Sequence, residues 1–202
     1  MNYLAHLFLA RPTPDSCFGN LLGDFQKGLD TTSLPVPVYI ALRNHMAVDK
    51  FTDSHPWVRD IKKTFSPERR RFAGITLDVL FDHFLICHWK QFSRQPFDDF
   101  CADRYRLLGQ RKGQMPPRMQ QVTGSMINNR WLDVYASLDG VSMALNRTAS
   151  RIRFKHRFEN SLEEILPVYD TLLADFPAFF EALRKQSLRY VTGHNKINFR
   201  TD

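Results

Sequence analysis

From Pro67 to Phe92 the chain is apolar on most sides of a helix, and this stretch limits the possible folds more than any other. Ile75, Leu77, Val79, Leu80, Phe84 and Leu85 cannot all face one partner. A helix that is hydrophobic all round has to be enclosed by other elements. The surrounding periodicity is also helical. Between Val38 and Asp53, the apolar residues Ile40, Ala41, Ala47, Val48 and Phe51 recur at spacings of three and four, the stripe of an amphipathic helix. Pro35 and Pro37 suit its entrance, and Pro56 marks its exit. Ser66 followed by Pro67 reads as the N-cap and first position of the central helix. Further helices are expected over Phe97 to Leu108, Arg118 to Ile127, Trp131 to Leu145, Leu162 to Ala174 and Ala178 to Tyr190. Sustained alternation, the mark of a strand, is missing. The expectation is an all-α fold: one helical-bundle domain over residues 1–191, with a polar, frayed tail over 192–202.

At 202 residues the chain holds about one domain, at ~150 residues each. Lys and Arg number 28 against 21 Asp and Glu, giving a net charge of +7 and a preference for acidic partners. Charge alone does not choose between nucleic acid, an anionic surface, a phosphorylated substrate and an acidic protein. Cys17, Cys87 and Cys101 are an odd number without a Cys-x-x-Cys pair, so a disulfide framework or zinc ribbon is not expected and a reducing cytoplasm is. The apolar start is short, lacks a basic n-region and is interrupted by His6, which argues against a signal peptide. No run reaches the ~18 to 20 apolar residues that span a bilayer, so membrane insertion is not expected.

The ionisable residues least suited to a core gather in the first 90 positions. Asp78, Asp82 and His83 stand among the large hydrophobes of residues 75–86, and a buried carboxylate is costly without a cation or hydrogen-bond partner. His45, Asp49 and Asp53 are spaced i, i+4, i+8, one row on a helix face; a solvated face would give the same spacing. Asp24 lies in the apolar segment Gly19-Asn20-Leu21-Leu22-Gly23-Asp24-Phe25, and His6 on the first short helix. Together His6, Asp24, His45, Asp49, Asp82 and His83 form an imidazole–carboxylate set spread over several helices, which is how bundles build metal sites. Such donors, without thiolate, suit Mn, Mg, Fe or Zn, and phosphoester hydrolysis is the chemistry that most naturally uses them. The lone histidines His55, His88, His156 and His194 read as structural, and Cys87 as core filling. No nucleophile elbow, Walker loop or dinucleotide fingerprint occurs.

Four segments carry a family resemblance. They are Asn2-Tyr3-Leu4-Ala5-His6-Leu7, residues 19–25, His45-Met46 with Asp49 and Asp53, and Thr76 to Leu85. In these the chain resembles the acyl carrier protein phosphodiesterases, a family considered distantly related to the histidine–aspartate (HD) metal-dependent phosphohydrolases. The resemblance implies hydrolysis of the phosphodiester that joins 4′-phosphopantetheine to a serine of holo-acyl carrier protein. It further implies a divalent cation, typically manganese, and an acidic carrier protein as substrate. Carried over position by position, His6, Asp24, His45, Asp49, Asp82 and His83 would bind or orient the metal. Asp78 would orient a ligand or activate the water, and Arg43 would steady the phosphate. Three departures stand out: Phe8 where a second histidine is frequent, Gly23 where alanine is common, and the order Asp82-His83 rather than His-Asp.

The basic runs Arg69-Arg70-Arg71 and Arg147, Arg151, Arg153, Lys155 and Arg157 are candidate surfaces for an acidic carrier. Two other readings compete. One keeps the metal site and makes the substrate a nucleotide or other small phosphoester. The other is a non-catalytic, basic nucleic-acid-binding helical protein; it gives no role to Asp78, Asp82 and His83 and lacks a helix-turn-helix signature, so nucleic acid is not the expected partner.

Overall fold

The computed structural model describes the backbone of residues 1–197 and the side chains of residues 1–189. Helices α1 (Tyr3–Leu9), α2 (Pro14–Leu22), α3 (Val36–Ser54), α4 (Pro56–Thr64), α5 (Ala73–Cys87) and α6 (Trp89–Phe92) form the first half. They are followed by α7 (Phe97–Arg111), α8 (Pro117–Asn128), α9 (Trp131–Val134), α10 (Leu138–Ala149) and α11 (Tyr169–Ile197). No strand occurs among the described residues, so the all-α expectation holds. None of the described helices is long and apolar enough to cross a membrane.

As its composition demands, α5 is the enclosed helix. Leu77, Leu80, Phe81, Phe84 and Leu85 are all buried. Trp57 of α4 stacks on Phe81 at 5.5 Å, and Phe176 and Phe179 of α11 close over the same ring. Burying each such side chain contributes about 1.5–3 kcal/mol. That explains why α11 runs straight through Pro177, where the sequence reading placed a break. An interior proline costs roughly 3 kcal/mol, less than the burial of Phe176, Phe179 and Phe180 returns. The polar stretch from Thr192 that was expected to fray begins inside α11, and residues 198–202 lie outside the described residues.

Other boundaries shifted for local reasons. The central helix begins at Ala73 rather than Pro67, because Ser66 does not act as a helix cap. Its N–H and hydroxyl both donate to Glu164, at 2.8 and 2.6 Å. The expected helix from Trp131 to Leu145 is divided at Tyr135–Ser137, where the Ser137 hydroxyl accepts from Gly140 N and starts α10. Residues 161–168 form two 3₁₀ turns instead of a helix. Cys87, expected in the core, is exposed at the last position of α5, whereas Cys17 and Cys101 are buried.

Two helices cross closely enough to frame a site. A Cβ on Gly19 of α2 would overlap Val38 O and the Ala41 Cβ of α3, so glycine is needed there. Beside this crossing, Asn44 donates to Asn20 at 2.9 Å, Asn20 donates to Ser16 O, and Ser187 of α11 donates to Asn44. This buried chain ties α2, α3 and α11 together, and its partners are satisfied as buried amides require.

Candidate metal centre

Helix α1 brings His6 into the interior because its N-terminal end is held by a carboxylate from another helix. Asp82 of α5 is fully buried, and its oxygens accept from Leu4 N at 2.9 Å and Ala5 N at 3.0 Å. These amides are unpaired donors of the first helical turn, and α1 has no side-chain cap of its own. Burial pushes the Asp82 carboxyl up to about 7, against the pull of those two N–H groups. One turn earlier, Asp78 accepts from the Met1 amino nitrogen at 2.8 Å, which also lies 3.4 Å from Asp49 Oδ1.

Opposite α1, His45 and Asp49 stand one turn apart on α3. His45 Nε2 lies 3.0 Å from Asp49 Oδ2, and His6 Nε2 lies 3.1 Å from Asp49 Oδ1. The two imidazoles stack with centroids 3.9 Å apart and planes 17° apart. Ligand atoms of His6, His45 and Asp49 all fall within 4.8 Å of one another. Asp24, on the 3₁₀ turn Gly23–Phe25, approaches His45 Nε2 at 3.9 Å. Both histidines are buried, while the Asp49 side chain is 39% exposed and opens the cluster to solvent.

The donor set fits a cation. His45 Nδ1 lies 2.7 Å from Asn20 O; a carbonyl only accepts, so Nδ1 carries a proton and the ring is fixed with Nε2 turned toward Asp49. Metal-binding histidines are oriented in this way. Both ring nitrogens of His6 are buried and neither makes a hydrogen bond, the 3.1 Å approach of Nε2 to Asp49 being its nearest polar contact. A buried imidazole nitrogen without a partner is costly unless something else occupies its lone pair. Burial and the neighbouring His45 lower the His6 pKa to about 3, which keeps it neutral, the form that binds metal. Burial works against the Asp49 carboxylate, but contacts from His45 and His6 outweigh it and hold its pKa well below the usual range. Burial also opposes protonation of His45, yet Asp49 and Asp24 raise it overall. Burial raises the Asp24 pKa.

The remaining expected residues lie around the cluster or apart from it. His83 Nδ1 meets Tyr135 O at 2.8 Å and Nε2 meets the Tyr169 hydroxyl at 2.7 Å, so both its nitrogens are engaged away from His6 and His45. Asp53 is exposed and bonds Lys62 at 2.7 Å, the solvated outcome. Arg43 is exposed, and two residues of separation set it on the far side of α3 from His45. Phe8 packs against Trp89, Phe100 and Phe180. His88 bonds Leu173 O at 2.8 Å, a structural role as expected. Asn20 is the residue that sequence reasoning missed; its signal was an amide in an otherwise apolar segment.

The basic runs meet but differ in use. Arg69 donates to Arg157 O, Glu159 O and Glu164, and Arg70 to Lys63 O and Phe65 O. Arg71 covers Phe72 and Phe154 at 4.6 and 5.1 Å. Arg69 and Arg71 tie down the 155–159 segment, and Arg70 the end of α4.

A family model described as "Acyl carrier protein phosphodiesterase" matches residues 1–183. Three curated proteins named acyl carrier protein phosphodiesterase illustrate the likeness. One from Enterobacter sp. (strain 638) is 36% identical over 188 residues, covering 93% of this chain and 97% of that protein. One from Escherichia coli O6:K15:H31 is 35% identical over 190 residues, covering 94% and 98%. One from Klebsiella pneumoniae subsp. pneumoniae is 33% identical over 186 residues, covering 92% and 96%. No solved structure matches the chain.

Proposed function

The chain belongs to the acyl carrier protein phosphodiesterase family, and from that premise we propose that it hydrolyses the 4′-phosphopantetheine–serine phosphodiester of holo-acyl carrier protein. Water adds to phosphorus, the bond to the serine oxygen breaks, and that oxygen leaves with a proton. The products are the apo carrier and free 4′-phosphopantetheine.

The observation that carries this reading is the set of His6, His45 and Asp49, in which both imidazoles are buried and the His6 ring nitrogens make no hydrogen bond. In this proposal these three hold a divalent cation and Asp24 completes the set from the open side. The cation supplies a Lewis acid that polarises the phosphoryl oxygen and makes a water more acidic. Manganese is proposed, and the same donors admit magnesium, iron or zinc. Asp78, on the open side of α1, takes the proton of the attacking water. Asp82 positions His6 by holding the first turn of α1, and His83 fixes α5 against Tyr135 and Tyr169. Arg43 has no part in the proposed chemistry, since it stands across α3 from His45. A distant kinship with HD phosphohydrolases is part of the proposal, and the imidazole and carboxylate side chains that meet from facing helices support it. The net charge of +7 favours an acidic carrier as partner.

The test follows the intact mass of holo-acyl carrier protein incubated with metal-stripped protein, with and without Mn²⁺. Metal-dependent loss of the phosphopantetheine group is expected. No loss with any divalent cation would overturn the carrier reading.

A further inference from the structure

A cavity of about 380 Å³ opens beside the metal centre, within the roughly 300–1,000 Å³ of small-molecule sites. It and the centre share residues. Asp24 and Asp78 line it, and from there Asp24 reaches His45 at 3.9 Å, while the Met1 amino nitrogen bridges Asp78 and Asp49. Its lining is also apolar, with the half-buried Trp131 and, from α10, Ala144. On the rim stand Arg147 and Arg151, four residues apart and both exposed. Neither guanidinium carries an ion pair among the described residues.

We infer that this cavity holds the phosphopantetheine arm of the substrate, with Arg147 and Arg151 meeting its phosphodiester charge and the carrier surface around it. The inference rests on the function proposed above and adds where the substrate lies and which residues select it. The arm is a narrow chain with a gem-dimethyl carbon and two amides. Trp131 and Ala144 offer it apolar contact, and the Thr148 hydroxyl, which donates to Ala144 O at 3.0 Å, keeps lone pairs for an amide N–H. The proposed cation takes the phosphate at the carboxylate end of the cavity, and the two rim arginines, which line the same cavity, add charge for the acidic substrate around it. Unlike Arg69 to Arg71, whose head groups are taken up by carbonyls and Glu164, they are available to a ligand. The sequence separates these two kinds of arginine only by position.

The test compares hydrolysis of holo-acyl carrier protein with that of bis(p-nitrophenyl) phosphate, a diester without the arm, by Mn²⁺-loaded wild type and Ala144→Phe. A phenyl group at position 144 fills the cavity from α10. The expected result is a loss of kcat/KM for the holo carrier at least about ten-fold larger than the loss for the small diester. Equal losses, or no loss on the carrier, overturn the inference. Should Ala144→Phe not fold, Arg151→Glu on the exposed rim gives the second test. It should raise KM for the carrier about ten-fold and weaken the binding of free 4′-phosphopantetheine in calorimetry, both effects shrinking with added salt; an unchanged KM overturns the assignment. Failure of the proposed function has a different signature, because wild type itself would then release no phosphopantetheine.

Discussion

Gly23 leaves the space in which the His45 ring lies: a Cβ at position 23 would overlap Cγ, Cδ2 and Nε2 of that ring. The ring has little room to withdraw, being held by Asn20 O on one side and Asp49 on the other. The absence of a side chain at one position thus sets the place of a proposed ligand on another helix.

Gly23→Ala should displace His45 rather than merely fill space. Overpacking of this kind costs about 1–3 kcal/mol, and a misplaced ligand should weaken cation binding by roughly ten-fold or more. Thermal unfolding and Mn²⁺ titration of the same preparation measure the two effects. A variant with wild-type affinity would show that the ring is free to move.

Asp82→Ala should destabilise the protein as well as inactivate it, since two buried amide groups of α1 lose their acceptor. Each unsatisfied donor costs roughly 1–3 kcal/mol, and His6, the next residue along α1, loses its anchor. Urea unfolding should show the shift in free energy. Stability equal to wild type would argue that Asp82 acts on a ligand and not on α1.

Glu164 gives the clearest dependence on pH. Burial alone would raise its pKa, but the Ser66 hydroxyl, the Ser66 N–H and Arg69 hold it below the ordinary value of 4.5. A carboxyl with a depressed folded pKa contributes stability above its unfolded value and loses it as pH falls through the folded value. Glu164→Gln should therefore cost roughly 2 kcal/mol at neutral pH. The gap between wild type and variant should close on acidification below about pH 4.5. A gap that persists at acid pH would mean that the lost interaction is not ionic.

Cation binding should stabilise the fold. Mn²⁺ at 100 times its dissociation constant adds about 2.7 kcal/mol, visible as a rise in melting temperature on metal addition. Asp49→Asn, which keeps the shape and loses the charge, should show little of that rise.

The legible parts of this molecule were those written within one helix. The all-round apolarity of residues 75–86 announced an enclosed α5, and the i, i+4 spacing announced that His45 and Asp49 share a face. That His6 stacks on His45 was not legible, because it depends on how α1 docks, and this is fixed by Asp82 from a distant helix. The same limit explains Ser66. Its position before a proline looks like a cap, but Glu164, 98 residues away, claims its hydroxyl. At Pro177 local propensity was outweighed by three buried phenylalanines. His83 sat one position from Asp82 in the most apolar helix, and consecutive helical residues point about 100° apart, which left it to Tyr135 and Tyr169.

The most direct measurement is the number of Mn²⁺ ions bound by metal-stripped wild type and by Asp49→Asn, read by electron paramagnetic resonance during titration. The account predicts a tight site in wild type that is lost in the variant, with loss of phosphopantetheine release in parallel. A variant that binds Mn²⁺ as wild type does would contradict the placement of the centre at His6, His45 and Asp49.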